Sequence, residues 1–412
     1  MTNWLPVGRL NNRVLPVGLM PPGLQSAAPE ISEISGAFPP KDRATPRALG
    51  RPPESPTKMA LELKSVTKRV GAQLHIKETS LMLEPGHFNV LLGATGSGKT
   101  SLIKMMAGLD PIASGQVLMD GQDVTSLSTQ KRNISLVHQF FINYPHMTVF
   151  ENIASPLKVA GKSKSEIQDR VEEAADILQL RPMLHRRPHE LSGGQQQRTA
   201  LARAIAKESK AVFLDEPLAN LDYKLREELR DQLPELFAGR GAVVVYATSE
   251  PEEALLLGGK TALMEDGHVT QFGPTAEIYR NPANVQAAAV FSDPPINTAE
   301  ITKQGTTARL NDDVTWTLSG SAANLADGPY TIAIRPHHVL PVAQEQSTVH
   351  LTGRVQVTEL SGSESSAHFQ MGSGSWVSLS AGVHPYQVGA VHDFYMDPSA
   401  AYVFAPDGSR VA

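Results

Sequence analysis

The eight residues Gly93-Ala94-Thr95-Gly96-Ser97-Gly98-Lys99-Thr100 constrain this chain more than any other stretch. They fit the pattern G-x-x-x-x-G-K-[ST], in which glycines let successive backbone N–H groups turn inward around a polyphosphate. A short apolar run, His87–Leu92, precedes them, and Lys99–Ala107 follows with helical spacing. The sequence therefore predicts a strand, a phosphate loop, and a helix whose positive N-terminus faces the phosphates. In that setting Lys99 reaches the terminal phosphates and the Thr100 hydroxyl binds Mg²⁺. A plain glycine turn is the competing reading, and the strand–loop–helix context speaks against it.

A second cluster lies further along. Val212-Phe213-Leu214-Asp215-Glu216 places two acids at the end of an apolar run. Asp215 suits the Mg²⁺ shell, and Glu216 suits orienting or deprotonating an attacking water. Taken alone, a solvated strand end explains the pair equally well.

The remaining pattern gives the organisation. Leu61–Val66 and Leu74–Leu83 alternate apolar with polar residues, as half-buried strands do. Ile167, Val171, Ala174, Ala175 and Leu178 fall on one helical face between Met147 and Leu184. Gln195–Lys207 and Leu221–Phe237 read as helices, Ala211–Leu214 and Ala242–Ala247 as buried strands. Alternating strands and helices imply an α/β fold with a mostly parallel sheet. After Asp293-Pro294-Pro295, short runs rich in Val, Thr, Ser and Gly predict an all-β domain. The expected division is an extension over 1–58, an α/β domain over 59–292 with a helical part at about 140–190, and a β-domain over 293–412.

Composition decides several exclusions. Met1–Lys58 holds 11 of the 30 prolines with little apolar periodicity, so a disordered extension or a start placed upstream of Met59 is expected; a docking arm is the alternative. Of 37 basic and 42 acidic residues, seven and four lie in that segment, which leaves a net charge of −8 beyond it. That balance argues against nucleic acid as a partner. The absence of cysteine excludes disulfide frameworks, thiolate metal sites and thiol nucleophiles. No apolar run approaches the ~18 residues of a membrane span.

Leu191-Ser192-Gly193-Gly194-Gln195-Gln196-Gln197-Arg198 stands just before the acidic strand. With the phosphate loop and Asp215-Glu216 in this order, the chain resembles an ATP-binding-cassette (ABC) ATPase. Gln139 matches that family's glutamine loop, and Leu218-Ala219-Asn220-Leu221-Asp222 its D-loop. A closer similarity is to the ATPase subunits of bacterial carbohydrate importers of the maltose and glycerol-3-phosphate type. Tyr144-Pro145-His146-Met147-Thr148-Val149, Phe272-Gly273-Pro274 and Ile334-Arg335-Pro336-His337-His338 carry it. Phe141-Ile142-Asn143-Tyr144-Pro145 and Tyr246-Ala247-Thr248-Ser249-Glu250-Pro251 look like the glycerol importers in particular.

The resemblance implies ATP and Mg²⁺ as ligands, held by Gly93 to Thr100 with Ser101, Gln139 and Asp215. Thr100, Gln139 and Asp215 would form the Mg²⁺ shell, Asp215 through water, with Glu216 catalytic. Ser192, Gly193, Gly194 and Gln195 would face the ATP of a second cassette, although a lone Ser-Gly-Gly is also a good helix cap. The implied fold adds an OB-type regulatory domain (TOBE-like) after the cassette. The implied partners are a second ABC ATPase, two membrane permeases and, indirectly, a periplasmic solute-binding protein. The implied place is the cytoplasmic face of the inner membrane, peripherally bound. Tyr144, Met147 and Phe150 are the expected permease anchors, with core filling as the alternative.

Two positions depart from the family pattern. Ser249 stands where a histidine is expected to contact the γ-phosphate and the attacking water, and Val70 stands where an aromatic ring stacks on adenine. His75 could substitute for the ring, although a strand-surface histidine is the plainer reading. Three functions compete: an import ATPase for a small carbohydrate or polyol such as glycerol or glycerol-3-phosphate, a slow regulatory cassette paired with an active one, and a soluble ATPase of DNA repair or translation. Ser249 favours an unlike pair of cassettes over a homodimer.

Overall fold

A computed structural model describes residues 60–412, apart from 220, 238–240, 346–347 and 373 and the side chain of residue 225. The expectations for Met1–Lys58, for a start at Met59 and for Asn220 lie outside the described residues. The chain begins with β1 (Leu61–Val70), β2 (Gln73–Leu83), β3 (Phe88–Leu92), α1 (Lys99–Ala107), β4 (Ser114–Met119), β5 (Gln122–Asp123) and β6 (Ile134–Val137). Then come α2 (Val149–Val159), α3 (Lys164–Ile177), α4 (Gly193–Ala206), β7 (Ala211–Asp215), α5 (Tyr223–Phe237) and β8 (Val243–Thr248). The sequence continues with α6 (Pro251–Leu257), β9 (Lys260–Glu265), β10 (His268–Pro274), α7 (Thr275–Arg280) and α8 (Val285–Val290).

A six-stranded sheet in the order β10-β9-β3-β8-β7-β6 is parallel except for the β9–β10 pair. Every residue of β3, β7 and β8 is buried. Both faces of these strands are covered, which is why they read as continuous apolar runs. On one face Val90, Leu214 and Tyr246 pack with Ile153, Val171, Leu201 and Leu233 from α2, α3, α4 and α5. The predicted helical face of Ile167, Val171, Ala174, Ala175 and Leu178 is buried there.

The first two strands do not join this sheet. They form a separate antiparallel sheet, β2-β1-β4-β5, in which β1 pairs with both β2 and β4. Leu61, Leu63 and Val66 point inward and their neighbours outward, as one dry and one wet face require. Helix α1 fills the space between the sheets: Leu102, Ile103 and Met106 share a core with Leu63 and Val117 on one side and Phe213 and Val245 on the other. The phosphate-loop helix is thus clamped along its length.

Beyond residue 296 the chain is β-rich, as expected. One antiparallel sheet contains β11 (Asn297–Gln304), β12 (Thr307–Arg309), β13 (Thr315–Thr317), β14 (Gly328–Ile334) and β20 (Tyr402–Phe404). The other contains β15 (Val339–Leu340), β16 (Val349–Leu360), β17 (Glu364–Met371), β18 (Gly374–Ala381) and β19 (Val391–Met396). Ile301, Ile332, Leu351, Phe369 and Phe394 form their common core. A small cluster of Ala288, Ile296, Ala333 and Phe404 joins α8 to this part.

Candidate nucleotide site

In the six-stranded sheet β8 lies between β3 and β7, so the loops after these three strands open side by side at their carboxyl ends. Open α/β sheets bind ligands at that edge. After β3 the chain passes through Gly96 (φ 87°) and Gly98 (φ 105°) before α1 begins. Both lie in the left-handed region that side chains resist. A Cβ on Gly93 would stand 2.2 Å from the Met264 carbonyl oxygen, and one on Gly98 2.7 Å from Ile76 Cδ1. At Gly93 and Gly98 the backbone therefore leaves no room for a side chain. Inside the loop the buried Ser97 Oγ has no hydrogen-bond partner, a vacancy a phosphate oxygen satisfies.

Lys99 is 4% exposed, and its Nζ donates to the carbonyls of Gly93 at 2.7 Å and Ala94 at 3.0 Å. It also stands 3.6 Å from Glu216 Oε1. Burial pushes the Lys99 ammonium below its ordinary pKa, while Glu216 and Asp215 pull it back. The Thr100 hydroxyl donates to Asp215 Oδ1 at 2.9 Å. Burial raises the Asp215 carboxyl, and the Thr100 hydrogen bond opposes that rise. Gln139 Nε2 donates to Glu216 Oε2 at 2.8 Å. Glu216 takes φ 45°, turning off the strand, and its N–H is held by the Ala247 carbonyl at 3.0 Å. Four segments far apart in sequence thus meet around one cradle. Hydroxyl, carboxylate and amide oxygens suit a hard cation that keeps phosphate and water ligands, as Mg²⁺ does.

Ser192 caps α4 in a reciprocal box: Gln195 N–H donates to Ser192 Oγ at 3.4 Å, and Ser192 N–H to Gln195 Oε1 at 3.1 Å. Ser192 and Gly193 are exposed, and among the described residues no hydrogen bond joins this segment to its own phosphate loop. Ser249 is exposed directly after β8. Beneath it lies a group that sequence reading missed. Glu253 is buried and accepts from Thr248 Oγ1 at 2.6 Å and Tyr246 OH at 2.9 Å, with burial raising its carboxyl. Its signal was the helical spacing to Leu257, which is buried on the same α6 face.

Val70 is 58% exposed where β1 turns into β2, and offers no ring. His75 is half-buried, its Nε2 bonded to Ser101 Oγ at 2.8 Å beside the start of α1. The three expected permease anchors divide. Tyr144 is exposed alongside Phe140 and Ile142, whereas Phe150 packs against the core and Met147 is half-buried. Buried Asn152, also missed, pins this loop: it donates to the carbonyls of Tyr144, Met147 and Thr148 and accepts from Tyr144 N–H. Asn143 Nδ2 donates to the Gln196 carbonyl at 2.8 Å, tying the loop to α4.

Comparison with known proteins adds family membership to this geometry. Residues 76–219 match the ABC transporter model and residues 332–404 the TOBE domain model. The sn-glycerol-3-phosphate import ATP-binding protein UgpC of Yersinia enterocolitica is 36% identical over 349 residues, covering 84% of this chain and 96% of that one. The protein of the same name from Pectobacterium atrosepticum is 34% identical over 347 residues, covering 84% and 97%. That of Escherichia coli O1:K1 is 36% identical over 315 residues, covering 76% and 88%. With a phosphate cradle, two strand-end acids and a capped Ser-Gly-Gly helix in one α/β body, and a β-domain behind it, the chain belongs to the ABC transporter family, as an ATP-hydrolysing subunit of the import type.

Proposed function

We propose that this chain binds ATP on Gly93–Ser101 and hydrolyses it to drive import of a small polyol or its phosphate through membrane permeases, sn-glycerol-3-phosphate being the solute named for its relatives. The observation that carries the reading is the convergence of Lys99, Thr100, Gln139, Asp215 and Glu216 within hydrogen-bond or ion-pair reach of one another. In this reading Lys99 leaves its two carbonyl partners for the phosphates and neutralises their charge. Thr100 and Asp215, with Gln139, hold Mg²⁺, which supplies charge stabilisation to the transferred phosphoryl group. Glu216 accepts the proton of the attacking water. The cassette spans 59–292 and the β-domain 293–412.

The Ser192–Gln195 end, exposed at Ser192 and Gly193, faces the ATP of a second cassette, since a helix N-terminus attracts phosphate and among the described residues this one makes no hydrogen bond to its own phosphate loop. Ser249 in place of histidine supports an unlike second cassette, because two copies of this chain would leave both sites without an imidazole. The exposed Phe140, Ile142 and Tyr144 would dock the permeases. No helix among the described residues is long and apolar enough to cross a membrane. In the same reading, attachment through this patch would hold the subunit peripherally, on the cytoplasmic face of the inner membrane.

Lys99→Ala tests the nucleotide reading. A charge-assisted bond to phosphate contributes about 1.5–3 kcal/mol, so ATP affinity should fall by about 10–100-fold in equilibrium titration of the purified chain. Unchanged affinity with an unchanged melting curve would remove the phosphate loop from the site.

A further inference from the structure

The φ of 45° at Glu216 lies in the left-handed region, which a residue with a side chain enters at a cost. Such a conformation persists only where its surroundings over-determine it. Two main-chain bonds bear on this turn. The Glu216 N–H donates to the Ala247 carbonyl at 3.0 Å, and the Glu216 carbonyl accepts from the Ala219 N–H at 3.4 Å. The first bond is as firm as the end of β8, and Ala247 has only a methyl group with which to fix itself. Its neighbours fix it instead. Tyr246 and Thr248 are buried, and both hydroxyls donate to the same atom, Oε2 of Glu253, at 2.9 and 2.6 Å. Residues two apart in a strand share a face, so one carboxylate oxygen brackets Ala247 from beneath. The same strand end also carries the phosphate loop, because the Gly93 N–H lies 3.4 Å from the Thr248 carbonyl.

The far side of the turn is reached from α5. Arg226 is half-buried, and one of its terminal nitrogens donates to the Ala219 carbonyl at 3.4 Å. Its charge also acts on Glu253 and on Tyr246. Burial pushes the Glu253 carboxyl up; the Thr248 and Tyr246 hydroxyls oppose that rise, Glu250 adds to it, and Arg226 opposes it. The contacts close on themselves, from Glu253 to β8, from β8 to Glu216, and through Ala219 to Arg226, which faces Glu253 again. The Glu216 carboxylate itself is met by Gln139 and Lys99. Glu253 therefore bears on the backbone that aims this carboxylate and not on the carboxylate.

We propose that Glu253 is a positioning residue for hydrolysis: its one buried oxygen grips the two hydroxyls that bracket Ala247, and so holds the strained turn that aims Glu216 at the attacking water. Arg226 secures the other side of that turn. This rests on the reading of Glu216 as the group that takes the proton of water. The plainer role for Glu253, a satisfied buried carboxylate that serves stability alone, predicts a lower melting temperature with catalysis by the folded protein unchanged.

Three variants separate the two roles. Glu253→Met keeps the length of the side chain without an acceptor, and Glu253→Gln restores a carbonyl oxygen that can take both hydroxyl bonds. Thr248→Val removes one of the two hydroxyls at nearly equal volume, and it decides the matter if Glu253→Met does not fold. ATP titration of the purified chain and single-turnover hydrolysis in the assembled transporter give affinity and rate separately. Glu253→Met should slow hydrolysis at this chain's site by about 10–10²-fold, the size expected of a slightly misplaced reacting group. Its ATP affinity should stay within about threefold of wild type. Glu253→Gln should recover most of the lost rate. Thr248→Val should lose less than Glu253→Met, and should lose little more when added to it, since both break the same grip. Wild-type hydrolysis in folded Glu253→Met or Thr248→Val, or affinity falling in step with rate, would overturn the proposal. Glu216→Gln is the reference. A wild-type rate there would overturn the reading of Glu216 and this proposal with it, whereas slow Glu216→Gln beside fast, folded Glu253→Met would overturn the positioning role alone.

Discussion

Glu216→Gln should leave ATP binding to this chain's phosphate loop intact and slow hydrolysis there by about 10²–10⁴-fold. The glutamine keeps the size of the side chain and the main-chain bond from Glu216 to Ala247, which fixes the turn. It lacks a basic carboxylate to take the proton of water. The bond from Gln139 Nε2 to Glu216 Oε2 can be remade to the amide oxygen, so the site should hold together without catalysing. Single-turnover hydrolysis in the assembled transporter, alongside nucleotide titration, separates the two effects. Loss of binding together with hydrolysis would mean that Glu216 shapes the cradle instead; unchanged turnover would place the base elsewhere.

Ser249→His should raise the hydrolysis rate at this chain's own site by about 10²–10³-fold, the size of one positioned transition-state contact. The backbone there is prepared for it. The Gly93 N–H is 3.4 Å from the Thr248 carbonyl, which places residue 249 at the mouth of the cradle. Thr248 is in turn anchored by Glu253, which also holds the Tyr246 hydroxyl. An imidazole at 249 would project from a fixed stem toward phosphate and water, whereas the serine hydroxyl is too short to bridge both. Pre-steady-state hydrolysis in Ser249→His and Ser249→Ala measures the gain. Equal rates in both variants and wild type would show that the position takes no part in the chemistry.

The site was legible where local pattern and chemistry coincide. The phosphate loop carries its own spacing, and helix α1 began and ended where the glycines at 98 and 108 imply. The buried strands Ala211–Asp215 and Val243–Thr248 announced themselves as unbroken apolar runs because both faces are covered. What local pattern could not carry was pairing between distant segments. Strand β1 reads as half-buried, but nothing in it says that its partners are β2 and β4 and not the parallel sheet.

Buried polar residues were the other blind spot. Arg132 sits in the polar stretch Thr129-Gln130-Lys131-Arg132-Asn133 and reads as surface. It is buried, donating to the carbonyls of Met105, Met106, Leu127 and Thr125, two of them at the C-terminal end of the phosphate-loop helix. A guanidinium there satisfies orphan carbonyls and complements the helix dipole. Glu253 and Asn152 were hidden in the same way, since charge and amide read as solvent-facing until a partner is known. Tyr144 and Phe150 show the converse. Both are aromatic, six residues apart, yet one faces out and the other is half-buried against the core, with the turn from Tyr144 to Met147 between them.

ATP-driven uptake of sn-glycerol 3-phosphate into vesicles carrying the complete transporter, with Gly194→Asp in this chain, tests the composite ATP site most directly. An acid in the first turn of α4 is favourable to the helix, so folding and nucleotide binding on the chain's own loop should survive. The same charge would repel the γ-phosphate of an ATP held by the facing cassette. Uptake should stop while assembly with the permeases is retained. Uptake at the wild-type rate would show that Ser192–Gln195 is only a helix cap and that ATP is not shared between two cassettes.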